Sequence, residues 1–175
     1  MLVTLGRRAE PTDLVGLLLE CHQRIRTFLH VASELGRRED LDAATVATES
    51  ARCARYFTEA LPLHVADEEE SILPRLRGVA PAVDAALAAM HAQHQDHGAP
   101  LGALLSALGA LGEAPGDPAA RARVREAVTT LEGAFEEHLA LEETVLFPAL
   151  AARPPEVQRA IREELRGRRS APFGA

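Results

Sequence analysis

Apolar residues recur at three- and four-residue intervals along four long stretches of the chain, and stretches rich in Val, Ile, Thr or aromatics are too few to place strands. Leu14, Leu18, Ile25, Phe28, Leu29 and Leu35 mark a first helix. It begins near Pro11-Thr12-Asp13, where Thr12 or Asp13 can cap it, and ends at Gly36-Arg37-Arg38. A second helix runs from about Asp40 to about Leu76. Pro62 removes a backbone donor inside it and predicts a kink, and Pro74 predicts a bend or end, with Gly78 beyond. A third runs from Pro81 to about Leu111 on the stripe Val83, Leu87, Met90, Leu101, Leu104, Leu105 and Leu108, with a kink or break expected at Pro100. Residues 112–118 read as a loop. A fourth helix starts near Pro118 with Asp117 as cap and reaches about Ala152, with Pro148 in its last turn. Pro154-Pro155 sets off a tail helix, about 156–166, carrying Val157, Ile161 and Leu165. These segments predict an all-α protein, an antiparallel up-down four-helix bundle with a short C-terminal tail helix. Residues 1–10 form a poorly ordered lead, 11–152 the bundle and 153–175 the tail, whose last residues read as disordered.

Histidines interrupt the apolar stripes. His22 lies seven residues after Val15 and seven before Leu29, and His94 sits in the middle of the third stripe. The second helix carries His64 and Glu68, the fourth His138 and Glu142. On a helix, side chains four apart lie about 40° apart around the axis and about 6 Å along it, so both can reach one point in a core. The flanks of the two pairs match: Glu69 with Glu143, Ile72-Leu73-Pro74 with Leu146-Phe147-Pro148, Leu76 with Leu150. His22 precedes His64 by 42 residues and His94 precedes His138 by 44, so the chain reads as a helical hairpin repeated.

Composition narrows the chemistry. Hydrophobic residues are 47% of the chain but aromatics only 3%, and Ala and Leu supply most of the apolar content. A net charge of −7 argues against nonspecific nucleic-acid binding. No apolar run is long enough to span a membrane, no signal-peptide core is present, and Cys21 and Cys53 form no CxxC, so a cytoplasmic protein with free thiols is expected.

Four imidazoles and two carboxylates converging in a core would be very costly unless something binds them. A pair of metal ions answers that cost: the donors suit iron, manganese or zinc, and two carboxylates from different helices can bridge two metals. Six ligands cannot saturate two six-coordinate ions, which leaves a bridging oxygen and an open position for a small molecule.

His22, His64-x-x-x-Glu68, His94 and His138-x-x-x-Glu142, followed by Leu73-Pro74 and Phe147-Pro148, resemble the hemerythrin-like HHE cation-binding domain over about residues 12–150. The resemblance implies two iron ions in an oxo- or hydroxo-bridged non-haem centre. By it, His22 and His64 serve one iron, His94 and His138 the other, and Glu68 and Glu142 bridge. Two departures separate the chain from oxygen-carrying hemerythrins. Those have two histidines four apart on the third helix, where this chain has Met90 before His94, with His91 and His97 three to either side. They end on an aspartate five residues after the last histidine, where this chain has Glu142 four after His138.

His91 and His97 are further candidates for the metal shell, each as a fifth histidine ligand or a supporting group. Glu69 and Glu143 point about 100° away from the ligands and suit solvated or supporting roles. Tyr56 is the sole tyrosine, a core or rim residue unless the Pro62 kink turns it to the centre. Cys21 adjoins His22 but faces off the stripe, and His30 reads as structural or exposed. The expected partner is dioxygen, peroxide or nitric oxide, bound for storage, sensing or catalase- or peroxidase-like detoxification by a monomer or weak homodimer. Two alternatives stand beside this. A di-iron oxygenase or oxidase would need an apolar cavity opening onto His94 or His97. A regulatory module would use the tail helix to contact a partner.

Overall fold

The computed structural model describes residues 13–170, and among them all regular structure is helical. Helix α1 spans Leu14–Arg37, α2 residues 43–76, α3 residues 81–113, α4 residues 118–151 and α5 Pro155–Ser170. The predicted lead, the alternative cap Thr12 and the last five residues lie outside the described part. Caps follow the sequence: Asp13 accepts from the Gly16 amide at 2.8 Å, Asp42 from Thr45 at 2.9 Å and Asp117 from Ala119 at 2.9 Å.

The second helix continues through Pro62, as expected, and ends two residues after Pro74; the chain stays helical from 43 to 76. A wide π-turn, Tyr56–Ala60, precedes Pro62, and others at Asp67–Ile72 and Glu142–Leu146 precede Pro74 and Pro148. Each ends in a bond spanning five residues: Leu61 N–H to Tyr56, Leu73 to Glu68 and Phe147 to Glu142. A proline ring presses on the carbonyl four residues back, and a wider turn just before it relieves that contact. The break in α3 falls at His97, between Pro81–Asp96 and Gly98–Glu113, which leaves Pro100 in the first turn of the second part, where its missing donor costs little. The tail helix extends to Ser170, beyond the expected 166.

Helix α1 packs on α2 and α4, and α3 packs on the same two, closing a ring of four. Its interior holds two apolar clusters. One contains Ile25, Leu29, Phe57, Leu61, Leu104, Phe135 and Leu139; the other contains Leu14, Leu18, Ile72, Met90, Leu146, Ile161 and Leu165. Each of the four helices crosses from one cluster to the other at its metal-candidate histidine, so the polar residues form a layer across the core. At the end of α1, the buried Arg121 donates to the carbonyls of Leu35 and Arg38 at 2.7 and 2.6 Å, and Arg125 to that of Gly36 at 2.7 Å. These cations satisfy carbonyls that the helix end leaves open. Gly36, read from sequence as part of the helix end, lies one residue before the helix stops at Arg37, and it also lets α4 come close, since a Cβ there would lie 2.8 Å from Arg125 Cγ.

Candidate metal centre

All six predicted ligands meet in the polar layer. His22, His64, His138, Glu68 and Glu142 are buried and His94 is half-buried. They form two overlapping sets, His22-His64-Glu68-Glu142 and Glu68-His94-His138-Glu142, with one donor atom from each residue within 4.8 Å of the others in its set. The glutamates are shared. Glu68 Oε1 lies 2.9 Å from His64 Nε2 and its Oε2 3.1 Å from His94 Nε2. Glu142 Oε2 lies 3.0 Å from His22 Nε2 and its Oε1 3.4 Å from His138 Nε2. Each carboxylate thus turns one oxygen to either set. The two halves of the chain interlock, because the first histidine of each half meets the glutamate of the other.

These short approaches are not ordinary hydrogen bonds. Nε2 of His22, His64 and His94 and all four oxygens of Glu68 and Glu142 are buried without a hydrogen bond of acceptable geometry. Buried polar atoms are rarely left so. Lone pairs that converge on common points without bonding one another fit cations held between them, and imidazole with carboxylate is a donor set for iron, manganese or zinc.

The outer ring nitrogens are occupied. His22 Nδ1 lies 2.8 Å from Glu143, which also accepts from Arg26 at 2.8 Å. His94 Nδ1 lies 2.7 Å from Glu69, and His138 Nδ1 3.0 Å from Gln93 Oε1. Donation from Nδ1 to these oxygens leaves Nε2 as the inward lone pair, the tautomer that ligation requires. His64 differs: the Cys21 thiol lies beside it without closing a good hydrogen bond. Glu69 and Glu143, read as solvated or supporting, take the supporting role, each on a histidine of the opposite half. Gln93 and Arg26 escaped the sequence reading, because one amide and one arginine carry no pattern.

Electrostatics agree with a site short of positive charge. Burial, then the neighbouring His64, pushes His22 down to about 4, and burial pushes His138 down to about 3, so both rings are neutral at pH 7. Burial, reinforced by the charge of Glu68, lifts Glu142 well above the usual carboxylate range. Burial would lift Glu68 too, but His64 and His94 outweigh it and hold Glu68 well below. His64 and His94 are raised in turn, against burial, by the carboxylates they face. Two carboxylates this close compete for one proton unless a cation separates them.

The remaining candidates fall outside both sets. His91 is exposed and lies 3.0 Å from both oxygens of Glu69. His97 is buried, stacks on Phe135 with ring centroids 4.6 Å apart and meets His138 edge-on at 5.1 Å. Tyr56 stacks on Phe28 at 4.0 Å and is held to its phenol form by burial, so Pro62 does not turn it to the centre. Met90 is fully buried in the apolar cluster. A groove of about 540 Å³ between α3 and α4 begins at Ala99 but is lined by Ala103, Ala107, Ala127 and Thr130, and by neither His94 nor His97.

A family model described as the hemerythrin HHE cation-binding domain matches residues 13–150, with a further match over 101–169. No curated protein matches the chain significantly.

Proposed function

Because the chain belongs to the hemerythrin HHE cation-binding domain family, we propose that it holds two iron ions in the core of an antiparallel up-down four-helix bundle and uses them on dioxygen, peroxide or nitric oxide. The alternating order in which α1 to α4 meet the two apolar clusters supports the up-down arrangement. His22 and His64 would hold one ion, His94 and His138 the other, with Glu68 and Glu142 between them; manganese or zinc suits the same donors. The observation that carries this reading is the set of buried, unbonded oxygens and nitrogens shared between two four-residue groups.

An iron or manganese pair held there would supply a site for a small ligand and reversible one-electron chemistry. The chain's part is positional. Glu143, Glu69 and Gln93 hold three imidazoles by Nδ1 with Nε2 inward. Apolar residues on both sides of the layer, among them Phe147 with its ring tilted against His22 at 4.9 Å, keep bulk water out. So closed a centre suits a diatomic or peroxide better than an organic substrate, and the groove beside α3 does not line it. We place the protein as a monomer or weak homodimer without nucleic-acid or membrane partners; no helix among the described residues is long and apolar enough to cross a membrane.

Metal analysis of the native chain is the first test, and a protein without iron, manganese or zinc refutes the reading. Oxygen and then peroxide, added to anaerobically reduced, iron-loaded protein, separate the roles. A stable, reversible optical change means carriage or sensing. Bleaching with oxygen evolved from peroxide means catalase-like turnover.

A further inference from the structure

Around their shared glutamates, the twin π-turns of α2 and α4 differ at the preceding position. Counting from Glu68 and Glu142, the residue just before the glutamate is Asp67 in the first and Leu141 in the second. Leu141 packs against the apolar cluster. Asp67 is fully buried, as an acid where its twin is a hydrocarbon. A buried carboxylate needs partners, and α5 supplies them. Arg168 Nη1 donates to Asp67 Oδ1 at 2.9 Å and Arg169 Nη2 to Oδ2 at 2.6 Å. The same helix holds the rest of that turn: Ser71 donates to Glu164 at 2.6 Å, Arg75 pairs with Glu164, and Arg168 also reaches Glu70 at 3.0 Å and Ser71 at 2.9 Å. Arg169 lies 3.8 Å from the Cys21 sulfur, beside His22 and His64. Ile161 and Leu165 are buried with Leu14, Leu18, Ile72 and Leu76, so the apolar side of the tail helix, expected to meet a partner, is covered by the chain itself.

We propose that α5 is a clamp on the metal centre, with Arg168 and Arg169 as positioning residues that set Glu68 by gripping its neighbour Asp67. The proposal rests on the metal-binding reading above. Its logic is steric and electrostatic. Without the guanidiniums, the Asp67 carboxylate loses these partners and swings outward, and the Asp67–Ile72 turn, whose hydrogen bond runs from Leu73 N–H to the Glu68 carbonyl, moves with it. Glu68 faces both metal sets, so a shift there loosens both ions. The Glu142 turn carries no acid at the matching position, so Arg168 and Arg169 have no carboxylate to grip there.

The test uses the full-length chain with Arg168→Gln and Arg169→Gln, together and singly. Ferrous-iron-loaded protein is challenged with an iron(II) chelator, and metal-free protein is followed by hydrogen exchange. Outer partners of metal ligands typically carry about 10- to 100-fold in affinity, so the double variant should release iron about tenfold faster or more. In metal-free protein, amides of 67–72 should exchange faster while those of 142–146 keep the wild-type rate. General destabilisation would raise both, which separates positioning from mere structural support. Arg169→Lys, which retains a cation, should recover part of the loss, and adding Asp67→Asn to the double variant should add nothing. Should the double variant not fold, Arg169→Gln alone decides by the same two measurements. Wild-type release and exchange rates in the variants overturn the clamp. A wild-type chain that takes up no metal instead defeats the function proposed above, and exchange of 67–72 against 142–146 then decides the clamp alone.

Discussion

Removing the metal ions should destabilise the fold itself. In the metal-free chain, seven inward-facing atoms lie buried without a proper hydrogen bond: Nε2 of His22, His64 and His94 and both oxygens of Glu68 and Glu142. An unsatisfied buried polar group costs about 1–3 kcal/mol, which puts the set on the order of 10 kcal/mol. Close N···O approaches of 2.9 to 3.4 Å return part of this through charge attraction, chiefly between His64 and Glu68. Roughly 5 kcal/mol should remain as the advantage of the loaded protein, within what two bound ions supply by mass action when free metal is about a thousandfold above Kd. For a chain of this size about 1 kcal/mol moves Tm by roughly 2–4 °C, so loss of metal should lower Tm by at least about 10 °C. Differential scanning calorimetry of iron-loaded protein, and of the same sample after exhaustive chelation, measures it. Equal melting temperatures within about 2 °C would mean that the polar layer satisfies itself and that its convergence is not a metal site.

Other expectations follow from individual residues. Glu68→Ala should strip both ions because each of its oxygens faces a different set, whereas His22→Ala should mainly loosen one; atomic emission on purified variants distinguishes them, and a Glu68→Ala protein with two irons and an unaltered spectrum sinks the bridging role. Metal affinity should rise with pH. Glu142, His64 and His94 hold protons above their ordinary values in the metal-free chain and ions must displace them, while His22 and His138, pushed down to about 4 and about 3, need release none at neutral pH. Competition titrations at pH 6 and 8 that give one affinity would contradict this sign. Gly36→Ala should cost about 1–3 kcal/mol in urea unfolding, since the new methyl meets Arg125 Cγ and backbone nitrogen at 2.8 and 3.1 Å; an unchanged midpoint would show that α4 yields freely there.

The chain's periodicity and its duplicated His-x-x-x-Glu determine most of what this protein is. Helix spacing alone puts His64 and Glu68, or His138 and Glu142, on one face, and the matching flanks mark both pairs as one device used twice. The six residues that meet in the core were therefore legible, as were the helix caps at Asp13 and Asp117. The sequence marked Pro62 as a disturbance inside a continuous helix, but not the form it takes, a π-turn that makes room for the ring. Only the tertiary structure decided which half serves which. Glu143 supports His22 and Glu69 supports His94 across 121 and 25 residues of chain, and Arg168 and Arg169 reach Asp67 across 101 and 102. Periodicity records which way a residue faces on its own helix. It does not record which side chain arrives opposite, because that depends on how the helices stack and at what depth. The residues that meet in the core belong to the first kind of information; the groups that orient them and tie Asp67 to the last helix belong to the second.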